Sequence, residues 1–319
     1  MADTPSSESS DAQPLRRGLL RLISPSGAVQ DVQRVERATA HLAALGFRVQ
    51  AGAQARARVQ RFAGTDAQRL RALHDAARSK ADVVMMTRGG YGISRLLPSI
   101  DYAVLAEAIQ QREQMWVGHS DFTALQLALL AKTGAVTFSG PMASFDFGEK
   151  TPDAITVDSF LDAVDGTLEA VGFACDDAPR GLDAKGVLWG GNLAMVCSLV
   201  GTPYLPRVGG VLFLEDVNEP PYCVERMFTQ LLHAGILQRQ KAVLLGHFTG
   251  YKLSPHDAGY DLTAAMLWLR AQLKPHGVPV LTGLPFGHVR TKLTLPHGVR
   301  CHLLRDGGEV FLFFPHAGH

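Results

Sequence analysis

The sequence predicts an α/β protein in which a parallel, doubly wound sheet is followed by a smaller, β-rich α+β domain. The chain has 319 residues, which is enough for two ordinary domains. Its first half alternates apolar strand patterns with amphipathic helix patterns, as parallel sheets do. With 46% hydrophobic and 19% charged residues, the chain has the composition of a globular protein with a sizeable core.

The first half contains the patterns of four strands, each followed by polar or glycine-bearing residues. Buried strands are predicted over 19–24, 47–52, 81–87 and 115–120, and helices over 32–46, 66–79 and 122–134. Ligands of parallel sheets gather at the carboxyl ends of the strands. Two turns fall there, "RGGYG" at 88–92 and "GHSD" at 118–121. These turns locate the candidate site.

A change in composition indicates the domain organisation. Residues 1–17 are predicted to be a disordered polar head, and residues 18–150 to form the α/β domain that carries the nucleophile. A stretch of low hydrophobicity, 151–185, is predicted to be a linker before a C-terminal domain over 186–319. In that last domain the patterns predict strands over 210–217 and 241–250, a helix over 222–237, and antiparallel strands near the end.

Charge and cysteine content limit the possible partners. With 31 basic and 30 acidic residues, the net charge of +1 creates no field that would attract nucleic acid or an anionic membrane. No apolar stretch reaches the ~18 residues of a membrane span. The four cysteines form no CxxC pair, which favours a reducing cytoplasm. The expected partner is therefore a small molecule, and no cofactor is expected.

Ser120 is the first candidate for chemistry. It lies between an apolar strand and a helix, where a hydroxyl would project at the sheet edge beside free backbone amides. Ser120 or Asp121 could equally be a helix N-cap, since both residue types cap well. The esterase motif GxSxG is not met, because Phe122 replaces its second glycine. The glycine amides of the 88–92 turn could form an oxyanion hole, or the turn could serve only to end a strand.

A nucleophilic serine needs a base and a carboxylate that orients the base. His288 lies in a glycine-flanked loop, whereas His41, His74 and His233 fall within helix patterns. Glu215 ends the apolar run "VLFLE", where a buried charge needs a partner or a function. Three other carboxylates compete with it: Asp216, Glu219 and Glu225. A metal site using His247, His256 and Asp257 is the rival chemistry, although their spacing matches no helical zinc motif.

Several ordered motifs together resemble the L,D-carboxypeptidases of murein recycling, a serine peptidase family that also includes microcin-immunity peptidases. The resemblance spans roughly residues 19–315, and the motifs are "RFAGTD", "TRGGYGISRLL", "VGHSDFTALQ", "TFSGPM", "LWGGNLAMVCSLVGTPYLP", "LEDVNEPPYCVERM" and "LPFGH". It implies a flavodoxin-like N-terminal domain, related to class I amidotransferases, and a swivelling C-terminal domain. It also implies a muropeptide substrate, a cytoplasmic location and a homodimer.

The resemblance assigns roles to particular residues. The Ser-Glu-His triad falls on Ser120, Glu215 and His288, and the oxyanion donors on the amides of Gly90 and Asp121. Substrate contacts are expected from Gly89, Tyr91, Arg95, Trp189, Asn192 and Arg226. Arg95 and Arg226 are candidates for binding the substrate carboxylate, but each could equally form a surface ion pair.

Two alternatives stay open. A microcin-type peptidase would use the same triad on aminoacyl-nucleotide conjugates, with Trp189 stacked on the base or packed at a domain interface. A catalytically silent muropeptide-binding protein would lack at least one member of the triad, and all three residues are present.

Overall fold

The computed structural model describes residues 17–314, so the predicted polar head lies outside the described residues except for Arg17. Within this range the chain forms two sheets with helices packed against them. The helices are α1 (Val32–Ala44), α2 (Asp66–Ala77), α3 (Tyr102–Gln110), α4 (Phe122–Thr133), α5 (Ala154–Val164), α6 (Leu193–Ser198), α7 (Pro221–His233) and α8 (Leu262–Leu273). The strands are β1 (Arg17–Ile23), β2 (Phe47–Ala51), β3 (Val83–Met86), β4 (Met115–Gly118), β5 (Thr137–Ser139), β6 (Ala170–Ala174), β7 (Asp183–Asn192), β8 (Gly210–Val217), β9 (Ala242–Thr249), β10 (Val280–Leu281), β11 (Leu295–His297), β12 (Arg300–Asp306) and β13 (Glu309–Phe313).

The first sheet has the strand order β11-β5-β4-β3-β1-β2. Its strands β1 to β5 are parallel, and only β11 runs antiparallel, against β5. The predicted doubly wound parallel sheet is therefore confirmed. Local signals explain its helices: Thr65 and Gln68 form a capping box at the start of α2, and Gly134 ends α4 in the left-handed conformation.

The second sheet is mixed, with the order β10-β9-β8-β7-β12-β13-β6. Strands β7 to β10 are parallel, whereas β12, β13 and β6 pair antiparallel. The predicted antiparallel strands near the end of the chain are thus confirmed. The central strand β8 is an almost continuous apolar run, as expected for a strand covered on both faces.

The segment 151–185, expected to be a linker, contains regular structure. It holds α5 and the edge strand β6, which pairs with β13 along its whole length. The polar appearance of this segment has a physical reason. β6 is an edge strand whose side chains alternate between buried and exposed, so half of its positions face water. Where the two domains divide stays a prediction.

The two sheets share one hydrophobic core. Trp116 of β4 and Trp189 of β7 are both fully buried in the same apolar cluster. The chain also returns from the second sheet to the first, because β11 follows β10 in sequence but completes the edge beside β5. The carboxyl ends of β4 and β8 consequently lie at a common cleft between the sheets.

Candidate active site

Ser120 occupies a sharp turn between β4 and α4. Its φ of 65° is in the left-handed region, which costs an L-residue roughly 1–2 kcal/mol. The turn is tight, since a Cβ on Gly118 would meet the side chain of Met86 at 2.6 Å. A strained serine on a strand-to-helix turn is the arrangement of a nucleophile elbow. Ser120 is 9% exposed and lines the cleft.

The turn after β3 packs directly against Ser120. A Cβ on Gly89 would lie 2.6 Å from Ser120 Oγ, so only glycine allows this approach. Gly90 follows with a φ of 102° and also lines the cleft. Within residues 17–314, the backbone amides of Gly90 and Asp121 donate to no backbone oxygen. Both amides are therefore available to bind a developing oxyanion.

The Asp121 side chain holds the two turns together. It occupies the N-cap position of α4, but its carboxylate makes no capping hydrogen bond. Instead, Asp121 Oδ2 accepts from Ser26 Oγ at 2.5 Å and from the Ile93 amide at 2.9 Å. Burial raises the pKa of Asp121, and these hydrogen bonds oppose that shift. Neither the Ser120 nor the Asp121 side chain therefore caps α4.

His288 lines the same cleft as Ser120 and forms a hydrogen-bonded pair with Glu215. Nδ1 of His288 lies 2.8 Å from Glu215 Oε2, and the Glu215 side chain is fully buried. Burial opposes protonation of the ring, but the charge and hydrogen bond of Glu215 outweigh it and raise the pKa of His288. A histidine whose Nδ1 is bound to a buried carboxylate presents Nε2 as its free proton acceptor.

Two of the three competing carboxylates, Asp216 and Glu225, are bound to other groups. Asp216 accepts from the amides of Ala194 and Val217, at 2.9 and 2.8 Å, and so fixes the start of α6. Burial, together with the charge of Glu215, raises the pKa of Asp216 to about 6. Asn192 donates to both Glu215 and Asp216, at 3.2 and 2.9 Å. Glu219 lines the cleft, and Glu225 accepts from the Tyr260 hydroxyl.

Two buried basic residues lie behind His288. The ring of His119 meets that of His288 edge to face at 5.1 Å, and its Nδ1 lies 2.9 Å from the carbonyl oxygen of Gly140. Burial and the charges of Lys292 and His288 lower the pKa of His119 well below its ordinary value. Lys292 is fully buried and forms an ion pair with Asp146. Sequence reasoning assigned no role to either residue. His119 lies in the predicted buried strand and in the "GHSD" turn, but neither signal shows that its ring contacts that of His288, and no local pattern marks Lys292 as buried.

The cleft has a volume of about 740 Å³ and brings most of the predicted site residues together. Ser120 and His288 face it without a direct hydrogen bond in the described part of the chain. Such bonds are often long before the substrate binds. Six predicted residues line it: Gly89, Gly90, Ser120, Asp121, Asn192 and His288. Tyr91 lines an adjoining cavity that shares Gly90 with the cleft.

Three predicted substrate contacts lie elsewhere. Trp189 is fully buried in the core, where its indole N–H donates to Gln240 at 3.1 Å. Arg95 is bound to Asp66 at 2.8 Å, and Arg226 is exposed on α7 beside Cys223. None of the three lines the cleft. Trp189 is apolar enough to complete the core between the sheets, so burial rather than ligand binding accounts for its position.

The rival metal ligands do not gather. His247 is an exposed residue of β9, while His256 and Asp257 occupy an exposed helical turn at Pro255–Asp257. Among residues 17–314, no three His, Cys, Asp or Glu side chains are arranged to hold a metal ion. In the same range, no helix is long and apolar enough to cross a membrane.

Solved structures and curated proteins resemble this chain over most of its length. The crystal structure of a muramoyltetrapeptide carboxypeptidase from Oxalobacter formigenes superimposes with a TM-score of 0.83 and 42% identity, covering 93% of this chain and 98% of that one. A probable murein peptide carboxypeptidase of Bacillus subtilis is 30% identical over 85% of this chain and 84% of its own length. A microcin C7 self-immunity protein in complex with aspartyl sulfamoyl adenosine has a TM-score of 0.78 and 25% identity, covering 95% of this chain and 98% of that one.

Family membership follows from matches to both halves of the chain. The LD-carboxypeptidase N-terminal domain matches residues 20–140, which include the serine turn and the glycine turn. The LD-carboxypeptidase C-terminal domain matches residues 185–303, which include Glu215 and His288. The chain therefore belongs to the LD-carboxypeptidase family of serine peptidases.

Proposed function

We propose that this protein is a metal-independent serine L,D-carboxypeptidase that releases terminal D-alanine from murein tetrapeptides. The observation that carries the proposal is the strained Ser120 facing the same cleft as the hydrogen-bonded His288–Glu215 pair. Relatives that cover most of the chain support the choice of substrate, since two of them carry murein or muramoyl peptides in their names.

The chemistry assigns one role to each residue. Ser120 Oγ attacks the carbonyl carbon of the scissile amide, and His288 Nε2 takes the hydroxyl proton. The negative charge that develops on the carbonyl oxygen is held by the amides of Gly90 and Asp121. His288 then gives its proton to the amine of the departing D-alanine, and a water molecule hydrolyses the acyl-enzyme by the same steps. Glu215 stabilises the protonated imidazole throughout.

The proposal is tested by incubating the purified full chain with the tetrapeptide L-Ala-γ-D-Glu-meso-diaminopimelate-D-Ala and identifying the products by mass. Release of D-alanine and formation of the tripeptide are expected. An aspartyl sulfamoyl adenosine conjugate in a parallel reaction tests the microcin-type alternative, which the likeness to the self-immunity protein favours. Binding of the tetrapeptide without cleavage would identify a muropeptide-binding protein instead.

Removing metal ions with a chelator tests whether the reaction proceeds without a metal. With EDTA present, D-alanine release is expected to continue at the same rate, because the proposed triad supplies the nucleophile and the base itself. Inactivation by EDTA that added zinc reverses would contradict this and revive the site at His247, His256 and Asp257.

The proposal includes a cytoplasmic location and a homodimeric state. The four cysteines are all free and buried, which suits a reducing compartment. The molar mass measured by light scattering as the protein elutes from a size-exclusion column would test the dimer. Fractionation of cells that express the chain would test the cytoplasmic location.

A further inference from the structure

A second cavity opens beside the cleft, on the side of the glycine turn. It has a volume of about 370 Å³ and shares four lining residues with the cleft: Gln30, Arg61, Arg88 and Gly90. A ligand whose carbonyl lies at Ser120 and Gly90 can therefore extend into this cavity without leaving the protein surface.

The cavity is lined by three arginines and no carboxylate. They are Arg58, Arg61 and Arg88, and the remaining lining residues are neutral. Arg58 and Arg88 donate to backbone carbonyls of Val29 and Ala28, which orients their guanidinium groups.

None of the three is neutralised by a neighbour. Among the ion pairs between residues 17 and 314, none includes Arg58, Arg61 or Arg88. Nearby arginines differ in this respect, since Arg56 is paired with Glu36 and Arg95 with Asp66.

This arrangement is unfavourable for the protein alone. Burial and the charges of Arg61 and Arg58 lower the pKa of Arg88 below its ordinary value. Like charges that face one cavity repel each other, and a bound anion removes that repulsion. Guanidinium groups bind carboxylates with two parallel hydrogen bonds.

We propose that Arg58, Arg61 and Arg88 form a subsite that binds a carboxylate of the substrate peptide beside the serine cleft. The inference rests on the proposed function for its choice of peptide. A murein tetrapeptide offers this group from two sources, the terminal D-alanine and the α-carboxylate of the D-glutamyl residue. The subsite gives the enzyme its preference for substrates that carry the free acid.

The test combines arginine variants with amidated substrates. The variants are Arg61→Gln and Arg61→Gln with Arg88→Gln. The guanidinium of Arg61 is exposed and donates no hydrogen bond to any of residues 17–314. Three tetrapeptides are compared: the free acid, the peptide amidated at the terminal carboxylate, and the peptide amidated at the D-glutamyl α-carboxylate. Arg56→Gln is the matched control, because it removes an exposed arginine that lines neither cavity.

For the wild type, amidation of the recognised carboxylate is expected to lower kcat/KM at least roughly tenfold. The double variant is expected to lose about the same factor on the free acid and to become insensitive to that amidation. The amide that shows this coupling identifies the source. Equal slowing of all three substrates, or full sensitivity to both amidations in the double variant, would overturn the proposal.

A binding measurement separates this inference from the proposed function. Calorimetric titration with the three tetrapeptides, with Ser120→Ala added to every protein so that nothing is cleaved, covers both carboxylates. Ser120→Ala, alone and with Arg56→Gln, is expected to bind the free acid more tightly than one of the two amides, and the double arginine variant to bind that acid and amide alike. If the wild type releases no D-alanine but Ser120→Ala shows this difference, only the proposed activity fails. Equal binding of the acid and both amides by Ser120→Ala overturns the subsite.

Discussion

At the residue scale, Ser120 combines the hydroxyl proposed as the nucleophile with an unfavourable backbone conformation. Its φ of 65° is needed to place the side chain at the carboxyl end of β4, so the protein keeps a strained residue at this turn. The hydroxyl matters for the proposed reaction, whereas the backbone strain lowers the stability of the fold. Two substitutions can separate them.

Ser120→Ala and Ser120→Gly are both expected to lower kcat for D-alanine release by a factor on the order of 10⁴ or more. Only glycine relieves the left-handed strain, and its greater freedom in the unfolded chain offsets part of that gain. We therefore expect Ser120→Gly to be more stable than Ser120→Ala by roughly 0.5–1 kcal/mol. Urea denaturation measures this difference. Retention of substantial activity by either variant would contradict the assignment of the nucleophile.

The pH dependence follows from the raised pKa of His288. The base must be neutral to accept the proton of Ser120, so kcat/KM is expected to fall as the pH drops below the pKa of His288. Glu215→Gln removes the charge that raises this pKa. The acid limb of the profile should then move to lower pH, while the maximal rate falls because the protonated imidazole is no longer stabilised.

The profiles of kcat/KM against pH for the wild type and Glu215→Gln check this prediction. Glu225→Gln is the control, because Glu225 is bonded to Tyr260 and does not contact His288. An acid limb that stays in place in Glu215→Gln, or that moves in Glu225→Gln, would show that another carboxylate sets the pKa of the base.

At the scale of the elements, the end of β7 is locked against the start of α4. Gly191 has a φ of 120°, and a Cβ there would meet Thr123 Oγ1 at 2.5 Å. The same hydroxyl oxygen accepts from the amide of Asn192 at 3.1 Å. The helix behind the nucleophile and the strand beside Glu215 are thus joined at one point.

Gly191→Ala is expected to destabilise the fold and to reduce activity, since the added methyl group pushes β7 away from α4. Gly181→Ala is the matched control, because Gly181 also has a positive φ, of 75°, but a Cβ added there would have no atom within 4 Å. We expect the first variant to lose at least about 2 kcal/mol more in the free energy of unfolding than the second. Equal losses in thermal or urea denaturation would show that backbone strain, not the contact, governs both sites.

At the scale of the whole molecule, the shared core predicts that the two sheets unfold together. Trp116 and Trp189 lie in the same cluster although they belong to different sheets. The amides of β4 and β8 are therefore expected to exchange hydrogen with the same free energy of opening. Hydrogen exchange followed by mass spectrometry measures both, with the edge strand β6 as a less protected reference. Values for β4 and β8 that differ by more than about 2 kcal/mol would indicate two independent units.

Much of this fold could be predicted because its signals are local. The alternation of strand and helix patterns predicted the parallel sheet, and the apolar run that ends at Glu215 predicted β8. Pairing between distant segments was not accessible in this way. β11 is only three residues long and joins the first sheet, which no periodicity reveals.

In the candidate site, too, residues with a local sequence signal could be predicted and residues placed by distant contacts could not. Ser120, Glu215 and His288 were proposed from strand ends, turns and the family resemblance. In the structure Ser120 and His288 line one cleft, and the buried Glu215 is hydrogen-bonded to His288. Arg61 was given no role, and neither was Arg88, although Arg88 begins the glycine turn that marked the site. An arginine in a loop has the same local pattern whether it faces a cavity or open water. For Trp189 the sequence left two positions open, at the substrate or packed between the domains. The structure places it in the core that the two sheets share, and an aromatic residue gives no local sign that separates these positions.

The ion pair between Lys292 and Asp146 joins positions that are 146 residues apart along the chain. Both side chains are buried, and a buried carboxylate without its cation costs several kcal/mol. During synthesis Asp146 leaves the ribosome long before Lys292. Likewise, β5 leaves it long before its partner strand β11. Until then the nascent chain must keep that carboxylate hydrated and the edge of β5 open to other strands. The sheet that begins first in synthesis is consequently among the last parts of the protein to be completed.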